Sequence, residues 1–185
     1  EISFKINNKI PNNIIAVTGT NGKSSIADFY YQILDLNNKK VASIGTLGVK
    51  SKKYKKDLSN TTIDPIQLSK ILNNLKKQNI DNVIMEASSH GLSQNRLDGL
   101  LFNTGIFTNL SQDHLDYHKN TKNYLKAKLY LFDKLIKKGG NIITDEKIPE
   151  FKKIKNIATN KNLNLFSLLD KKNNFQFLSH QYEGE

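Results

Sequence analysis

Residues 14–25 read Ile-Ile-Ala-Val-Thr-Gly-Thr-Asn-Gly-Lys-Ser-Ser, an apolar run that breaks into a glycine-containing turn ending in Gly-Lys-Ser. A β-branched strand that leads into such a turn and then a helix directs unpaired backbone N–H groups at one point, where phosphate oxygens bind. Lys23 is expected to reach the terminal phosphates of a nucleotide, and the Ser24 hydroxyl to bind the accompanying Mg²⁺. Val17 stands where the common pattern has glycine, so a shortened phosphate loop is predicted; the alternative is a glycine turn beside a surface lysine.

The size and composition of the chain bound its class. It has 185 residues, 37% hydrophobic content and no cysteine. This length accommodates one large domain with a single core, and the lack of cysteine excludes disulfides and thiolate metal sites. No run is long enough to span a membrane and no basic-then-apolar leader opens the chain, so we expect a cytoplasmic protein with no membrane partner. The first residue, Glu1, is not methionine, which suggests a piece of a longer polypeptide.

The formal net charge is +11, with lysines in scattered pairs and a single arginine. Clustered basic residues would favour binding to nucleic acid, because they neutralise backbone phosphates. Pairs dispersed over helix ends and loops instead indicate solvated surface, whose mild positive field attracts anionic nucleotides. We therefore expect no nucleic-acid partner.

Strands and helices alternate in the sequence pattern. Short apolar or β-branched runs predict strands at 14–17, 41–44, 82–86, 104–108 and 141–144. One predicted helix covers residues 23–36, and a second is capped by Asp64 with Pro65 at its first position. A third begins after Asn120 or Thr121 and runs to about Lys138, where Gly139-Gly140 is expected to end it. The alternation predicts an α/β fold, a mostly parallel sheet with helices on both faces, and ligands at the carboxyl ends of the strands.

Three segments have weaker patterns. Residues 50–60 lack apolar periodicity, which is typical of a mobile loop or a short hairpin. Residues 150–160 are compatible with a short helix and residues 163–168 with a strand. The remaining tail to Glu185 carries no motif.

Polar residues follow two of the predicted strands. Glu86 emerges at a strand end where the sheet meets the nucleotide, and an acidic residue there can hold Mg²⁺; the alternative is a carboxylate exposed to water. His114, after the next strand, is a second candidate metal ligand or an exposed loop histidine. His90 and His118 allow both interpretations, and His180 in the tail is interpreted as exposed.

Lys128 interrupts an apolar stripe on the third predicted helix. At 100° per residue it lies near the middle of one face, whereas Lys126 points the opposite way. The stripe consists of Tyr124, Leu125, Leu131, Phe132 and Leu135. Lys128 either extends its ammonium to the surface or is a neutral amine of low pKa that is used for chemistry.

Four motifs, in order along the chain, resemble the Mur ligases, specifically the MurE type. They are Thr18–Ser24, Asn60–Thr62, Met85–Leu92 with Gln94 and Arg96, and Thr108–His118. The resemblance covers residues 14 to about 145 and is to the central ATP-binding domain of a three-domain family. It implies a phosphate-loop Mur ligase central domain over residues 1–185, with the N-terminal UDP-binding and C-terminal amino-acid-binding domains largely absent.

The resemblance also implies an activity. MurE-type enzymes use ATP and Mg²⁺ to add the third amino acid, usually meso-diaminopimelate or L-lysine, to UDP-N-acetylmuramoyl-L-alanyl-D-glutamate in peptidoglycan synthesis. That muramoyl peptide and a free amino acid are the implied partners of a monomeric enzyme. No Asp-Asn-Pro-Arg motif identifies the third amino acid, and we expect the 185 residues alone to bind ATP without acting as a ligase.

Roles of single residues follow from the same resemblance. The implied ATP contacts are Gly19, Thr20, Asn21, Gly22, Lys23, Ser24, Ser25 and Asn109. The implied Mg²⁺ ligands are Ser24, Glu86, His114 and Lys128, the last as a carbamate formed with CO₂; with Lys23, the last three make up the catalytic set. The implied contacts to the muramoyl peptide are Asn60, Thr61, Thr62, Ser88, Gln94 and Arg96.

Three other functions remain open at this point. One is a different ATP-dependent amide ligase, such as a folylpolyglutamate synthase or another Mur ligase, although the segments 88–92 and 113–118 argue against it. The second is a nucleotide-binding module that performs no ligation. The third is a basic nucleic-acid-binding protein, whose binding would fall steeply with salt and would not depend on Lys23.

Overall fold

Strands and helices alternate along residues 10–168, which are the residues described by this computed structural model. The strands are β1 (Asn13–Thr18), β2 (Val41–Gly45), β3 (Gly48–Ser51), β4 (Lys55–Lys56), β5 (Asn82–Glu86), β6 (Phe102–Phe107), β7 (Ile136–Thr144) and β8 (Asn164–Ser167). The helices are α1 (Lys23–Leu36), α2 (Pro65–Lys77), α3 (Ser89–Ser93), α4 (Leu115–His118), α5 (Thr121–Lys134) and α6 (Phe151–Lys161). His180 lies outside the described residues.

The strands form one sheet in the order β4-β3-β2-β5-β1-β6-β7-β8. From β2 to β8 each neighbouring pair is parallel, whereas β3 and β4 add an antiparallel hairpin at one edge. The predicted α/β fold is confirmed. Of the two alternatives for residues 50–60 the structure shows the hairpin, which begins at Gly48; the helix expected at 150–160 runs over Phe151–Lys161, and the strand expected at 163–168 is β8. Because β1 lies between β5 and β6, the carboxyl ends of these three strands meet at one edge.

Apolar side chains alternate between the two faces of the sheet. Ile14 and Ala16 join the larger core, which includes buried residues of α2, α5 and α6. Ile15 and Val17 point to the other face and pack with Ala27 of α1. Helices thus lie on both faces, as the strand–helix alternation predicts. No helix within residues 10–168 combines the length and the apolar character needed to cross a bilayer.

The first two helices have the predicted starts. α1 begins at Lys23, and α2 begins at Pro65 after its N-cap residue Asp64. The Asp64 carboxylate accepts hydrogen bonds from Ile66 N (3.0 Å) and Gln67 N (2.9 Å), so it satisfies two of the N–H groups that a helix start leaves unpaired.

The predicted end of the third long helix is wrong. α5 ends at Lys134, and the segment containing Gly139 and Gly140 belongs to β7. The Leu135 carbonyl accepts a hydrogen bond from Phe102 N (2.8 Å), which draws the chain into pairing with β6. The pairing register then shifts, and Gly139 adopts φ +70° there. The glycines therefore accommodate a bulge in the sheet instead of ending a helix.

Replacing the α2 cap tests its contribution to stability. Asp64→Ala removes the acceptor for two helix N–H groups and should lower the free energy of unfolding by about 1 kcal/mol. Urea unfolding followed by circular dichroism measures the change. Asp57→Ala, which removes an exposed carboxylate, is the control; equal midpoints for the two variants would contradict the capping role.

Candidate active site

The phosphate loop (residues 18–24) joins the carboxyl end of β1 to the start of α1. Gly19 has φ +145° and Gly22 has φ +83°, conformations that other residues rarely adopt. A Cβ atom on Gly19 would lie 1.8 Å from the Thr108 Oγ1 atom, so the position has no room for a side chain. Gly22 caps α1 without a side-chain hydrogen bond, which leaves the N–H groups of the first turn available to an anion.

The loop after β6 holds the phosphate loop in place. The Asn109 carbonyl accepts a hydrogen bond from Thr20 N (2.9 Å), and Asn109 Oδ1 accepts one from Asn21 N (3.0 Å). Thr108 Oγ1 donates to the Asn21 carbonyl oxygen over 2.7 Å. Asn109, an implied ATP contact, thus braces the loop itself.

Lys23 folds back over the loop. Its Nζ atom donates to the Thr20 carbonyl oxygen (2.7 Å) and to that of Gly19 (3.1 Å). Burial lowers the pKa of Lys23, against the opposing effect of the Glu86 and Asp113 carboxylates. Nucleotide phosphates would compete with these carbonyl oxygens for the ammonium group.

Glu86 ends β5 as a buried carboxylate, with 2% of its surface exposed. The exposed-carboxylate alternative is therefore wrong. Its Oε2 atom accepts a hydrogen bond from Ser24 Oγ (2.9 Å), so the loop hydroxyl and the strand-end carboxylate are in direct contact. This pair lies where the sequence places a magnesium site.

Thr46 is a further residue of the site that the sequence does not single out. Its backbone N–H donates to Glu86 Oε1 (2.8 Å), and its hydroxyl donates to Oε2 (3.2 Å). The preceding Gly45 gives the carboxylate room, since a Cβ there would lie 2.2 Å from Oε1. Gly45 ends β2 and Thr46 follows it directly, a strand-end position that does not distinguish the threonine in the sequence.

Lys128 is buried in the cleft, with 1% of its surface exposed, so the surface-extended alternative is wrong. Its Nζ atom donates to the Gly19 carbonyl oxygen (2.6 Å) and lies 4.3 Å from the centroid of the Tyr124 ring. Burial, together with repulsion from Lys23, lowers the pKa of Lys128 to about 7, although Asp113 acts to raise it. A large fraction of this amine is neutral at neutral pH.

The chemically important side chains border one cavity of about 130 Å³. His114, in the left-handed conformation (φ 51°), contributes to its wall. The lining residues are Lys23, Ser24, Thr46, Thr61, Glu86, Ser88, Ser89, His114, Tyr124 and Lys128. Cavities of about 240 and 440 Å³ lie elsewhere, but neither is lined by the phosphate loop.

The donor set of this cavity fits Mg²⁺ bound together with a nucleotide. Magnesium prefers oxygen ligands and is commonly held by one or two carboxylates plus substrate phosphates. Ser24 and Glu86 supply such oxygens beside the phosphate loop, and His114 borders the same space. Within residues 10–168 no group of three or more His, Cys, Asp or Glu side chains forms a metal site without added ligands.

Residues predicted to contact the muramoyl peptide form the wall next to Glu86. Thr61 Oγ1 lies 2.9 Å from Thr46 Oγ1 in the cavity lining. Thr62 is buried; its hydroxyl donates to the Glu86 carbonyl oxygen (3.0 Å) and accepts from Ser88 N (2.9 Å). The Thr62 side chain therefore braces this wall.

The remaining predicted contacts lie around α3. Ser88 caps this helix by accepting from Gly91 N (3.1 Å), and Arg96 Nη1 donates to the Thr62 carbonyl oxygen (2.7 Å). Gln94 Nε2 donates to the hydroxyl of Tyr117 (3.1 Å). Of these three side chains Ser88 lines the cavity, whereas Gln94 and Arg96 do not.

Asn60 and Ser25 are the least involved of the predicted residues. Both are exposed and neither lines the cavity. Asn60 Nδ2 donates to Ser59 Oγ (3.3 Å), and Ser25 lies on the first turn of α1. Their predicted contacts to ligands remain predictions.

The fold and the loop geometry define an α/β domain of the phosphate-loop class. Residues 17–184 match the family model described as the Mur ligase middle domain. The chain belongs to the Mur ligase family.

Named relatives and solved structures agree with this assignment. The UDP-N-acetylmuramoyl-L-alanyl-D-glutamate--2,6-diaminopimelate ligase of Rickettsia bellii is 47% identical over 151 residues, which cover 80% of this chain and 32% of that enzyme. The structure of a ligase of the same name superposes with a TM-score of 0.74 at 32% identity, over 88% of this chain and 33% of that one. Mycobacterium tuberculosis folylpolyglutamate synthase, solved with ADP, shares the fold, with a TM-score of 0.67 at 10% identity over 89% of this chain and 44% of that one.

The chain spans about a third of the length of the curated relatives it matches. The matched part is the middle domain, which contains the phosphate loop and the cavity described above.

The lowered pKa of Lys128 makes the stability of the chain pH-dependent. The amine titrates at about 7 in the folded chain, below the reference value of 10.5 that applies to the unfolded chain. Between pH 7 and pH 10.5 the Lys128 amine is more protonated in the unfolded state than in the folded state. In this range its contribution to the free energy of unfolding therefore rises by about 1.4 kcal/mol for each pH unit. Lys128→Met has no amine to titrate at this position. The free energy of unfolding of Lys128→Met minus that of the unsubstituted chain should therefore be largest below pH 7 and should fall as the pH rises toward 10.

Urea unfolding of both chains from pH 6 to 10 in CO₂-free buffer measures this difference. Lys126→Met is the control, because Lys126 lies exposed on the same helix and should keep the original pH profile. A constant stability difference between Lys128→Met and the unsubstituted chain would contradict the buried, shifted amine.

Proposed function

We propose that this chain is the ATP-binding domain of an amide ligase that extends UDP-N-acetylmuramoyl-L-alanyl-D-glutamate by one amino acid in peptidoglycan synthesis. The observation that carries the proposal is the convergence of Lys23, Glu86, His114 and Lys128 on one cavity beside the phosphate loop. These residues come from four separate segments, and the resemblance to MurE-type ligases implies catalytic roles for all four.

The amino acid that we propose is 2,6-diaminopimelate. It is the amino acid in the names of relatives that are 42–50% identical to this chain. The muramoyl peptide would bind along the wall formed by Thr61 and Ser88. Arg96 would act next to this wall, where it bonds to the Thr62 carbonyl oxygen. We place the enzyme in the cytoplasm, where ATP and nucleotide-linked precursors are available.

The chemistry follows from the poor reactivity of a carboxylate toward an amine. ATP transfers its terminal phosphoryl group to the D-glutamyl carboxylate, which gives an acyl phosphate and ADP, and the incoming amine then displaces phosphate. Lys23 and the N–H groups at the start of α1 bind the phosphates and distribute the charge of the transfer. Ser24 and Glu86, oriented by Thr46, would hold Mg²⁺, which neutralises phosphate charge when bound.

Lys128 is proposed to act as a carbamate. Its neutral amine nitrogen would form a bond to the carbon of CO₂ and release one proton, which converts a neutral amine into an anion beside the metal position. The burial that lowers the pKa of Lys128 to about 7 supplies the neutral amine that this reaction requires.

A carbon-13 experiment tests the carbamate. In ¹³C-labelled bicarbonate with Mg²⁺ and ATP, the chain should show a carbamate resonance that Lys128→Met lacks, because the substituted side chain has no amine. Lys126→Met, with an exposed amine removed from the same helix, should retain the signal. A spectrum of the unsubstituted chain that matches the Lys128→Met spectrum would exclude the modification.

Nucleotide binding tests the proposal most directly. Calorimetric titration should show saturable binding of Mg·ATP, and Lys23→Ala should weaken it by roughly 10- to 100-fold, because hydrogen bonds to charged groups contribute about 1.5–3 kcal/mol. Lys39→Ala is the matched control, since Lys39 is exposed and precedes β2 at the opposite end of the sheet. Equal ATP affinities for the two variants would contradict the assignment of residues 18–24 as the ATP-binding loop.

A second titration distinguishes this ligase from the alternatives. Added UDP-N-acetylmuramoyl-L-alanyl-D-glutamate should bind to the chain loaded with Mg·ATP, whereas a nucleotide-binding module or a folylpolyglutamate-type enzyme should not bind it. We expect no amide formation by the 185 residues alone, because they match only about a third of the length of the relatives that are named as ligases. Product formed by this chain would contradict that expectation.

A further inference from the structure

Tyr124 links several parts of the candidate site, although the sequence pattern places it only in an apolar stripe. The side chain is buried, with 1% of its surface exposed. Its hydroxyl lies 3.2 Å from the Thr20 hydroxyl of the phosphate loop, and its ring lies beneath the Lys128 ammonium. Residues 124 and 128 are one helical turn apart, so α5 contacts two consecutive phosphate-loop residues, Gly19 and Thr20.

The hydrogen bonds of Thr20 determine the direction of the Tyr124 contact. Thr20 Oγ1 accepts from Ser111 N (3.0 Å) and is within 3.3 Å of the Ser111 carbonyl oxygen, to which it donates. A hydroxyl has only one proton to donate, and that of Thr20 is directed at the Ser111 carbonyl oxygen. In the contact between Thr20 and Tyr124, the Tyr124 hydroxyl is therefore the donor. Thr20 thereby joins three segments: the phosphate loop, the loop after β6 and α5.

The Tyr124 ring also contacts the histidines that precede α5. Its centroid lies 6.2 Å from that of His114 and 5.2 Å from that of His118. The ring therefore packs between the Lys128 ammonium and the segment that carries the predicted metal ligand His114. The hydroxyl and the ring act on different partners, which allows their effects to be separated.

We propose that Tyr124 is a positioning residue for nucleotide binding: its hydroxyl fixes the Thr20 side chain, and through Thr20 it sets the phosphate loop against the loop that carries Ser111. The inference rests on the proposed binding of ATP to this loop. The role proposed here is exerted through the bond of the Tyr124 hydroxyl to Thr20 and does not require Tyr124 to contact the nucleotide.

Tyr124→Phe tests the hydroxyl while keeping the ring. We expect calorimetry to show a three- to tenfold higher Kd for Mg·ATP, which corresponds to the free energy of one buried neutral hydrogen bond. Thr20→Val should cause at least that loss, and adding Tyr124→Phe to Thr20→Val should cause no further loss, because both changes remove the same contact. Tyr130→Phe is the matched control, since its hydroxyl donates to the Asp98 carboxylate (3.0 Å) on the same helix but outside the cleft.

If Tyr124 had only a structural role, Tyr124→Phe would lower the melting temperature, but its effect on ATP binding would not depend on Thr20. The inference therefore predicts similar melting temperatures for Tyr124→Phe and Tyr130→Phe but different ATP affinities. Equal affinities for these two variants, or additive losses in the double variant, would overturn it.

Amide exchange gives a readout that needs no ligand. The Ser111 N–H donates to Thr20 Oγ1, so its exchange should become several-fold faster in Tyr124→Phe and stay unchanged in Tyr130→Phe. If the unsubstituted chain binds no ATP, the proposed function fails while this exchange still decides the role of Tyr124. Unchanged exchange at Ser111 in that case would overturn the inference.

Discussion

The hydrogen bond from the Lys128 amine to the Gly19 carbonyl oxygen connects α5 to the phosphate loop and constrains the cleft between them. Burying an ammonium group costs several kcal/mol unless partners compensate for the lost water. Here the compensation comes from one carbonyl oxygen and the face of the Tyr124 ring. Lys23 donates to the same carbonyl oxygen, so two lysine amines share one acceptor and repel each other when both are charged. Because this repulsion contributes to the lowered pKa of Lys128, an anion entering the cleft would relieve it.

Local sequence signals predicted the parts of the fold that depend on neighbouring residues. The turn at Gly19 and Gly22 and the cap at Asp64 have short-range causes, namely positive φ and unpaired helix N–H groups. The end of α5 could not be read this way. A Gly-Gly pair is compatible with both a helix end and a sheet bulge. Here the segment forms a bulge because it pairs with β6, a strand about 30 residues earlier in the sequence.

The candidate site likewise contains residues that a local sequence pattern identifies and residues whose roles depend on contacts between distant segments. Helical periodicity was sufficient to single out Lys128, because a lysine in the middle of a buried stripe conflicts with its own hydration. The roles of Thr46 and Tyr124 depend on hydrogen bonds between segments, and a threonine in a loop or a tyrosine in a stripe carries no distinctive local pattern. For the same reason the sequence could not indicate that the Thr62 hydroxyl is engaged by Glu86 and Ser88.

The two edges of the sheet differ in how they would meet another chain. The β3–β4 hairpin closes one edge with a two-residue outer strand that consists of Lys55 and Lys56. Short strands and lysine side chains discourage a foreign strand from pairing, so part of the high lysine content protects this edge from aggregation. In the described part of the chain the opposite edge is β8, where Phe166 has 42% of its surface exposed. Pairing with a further strand is thus disfavoured beside β4 and less hindered beside β8.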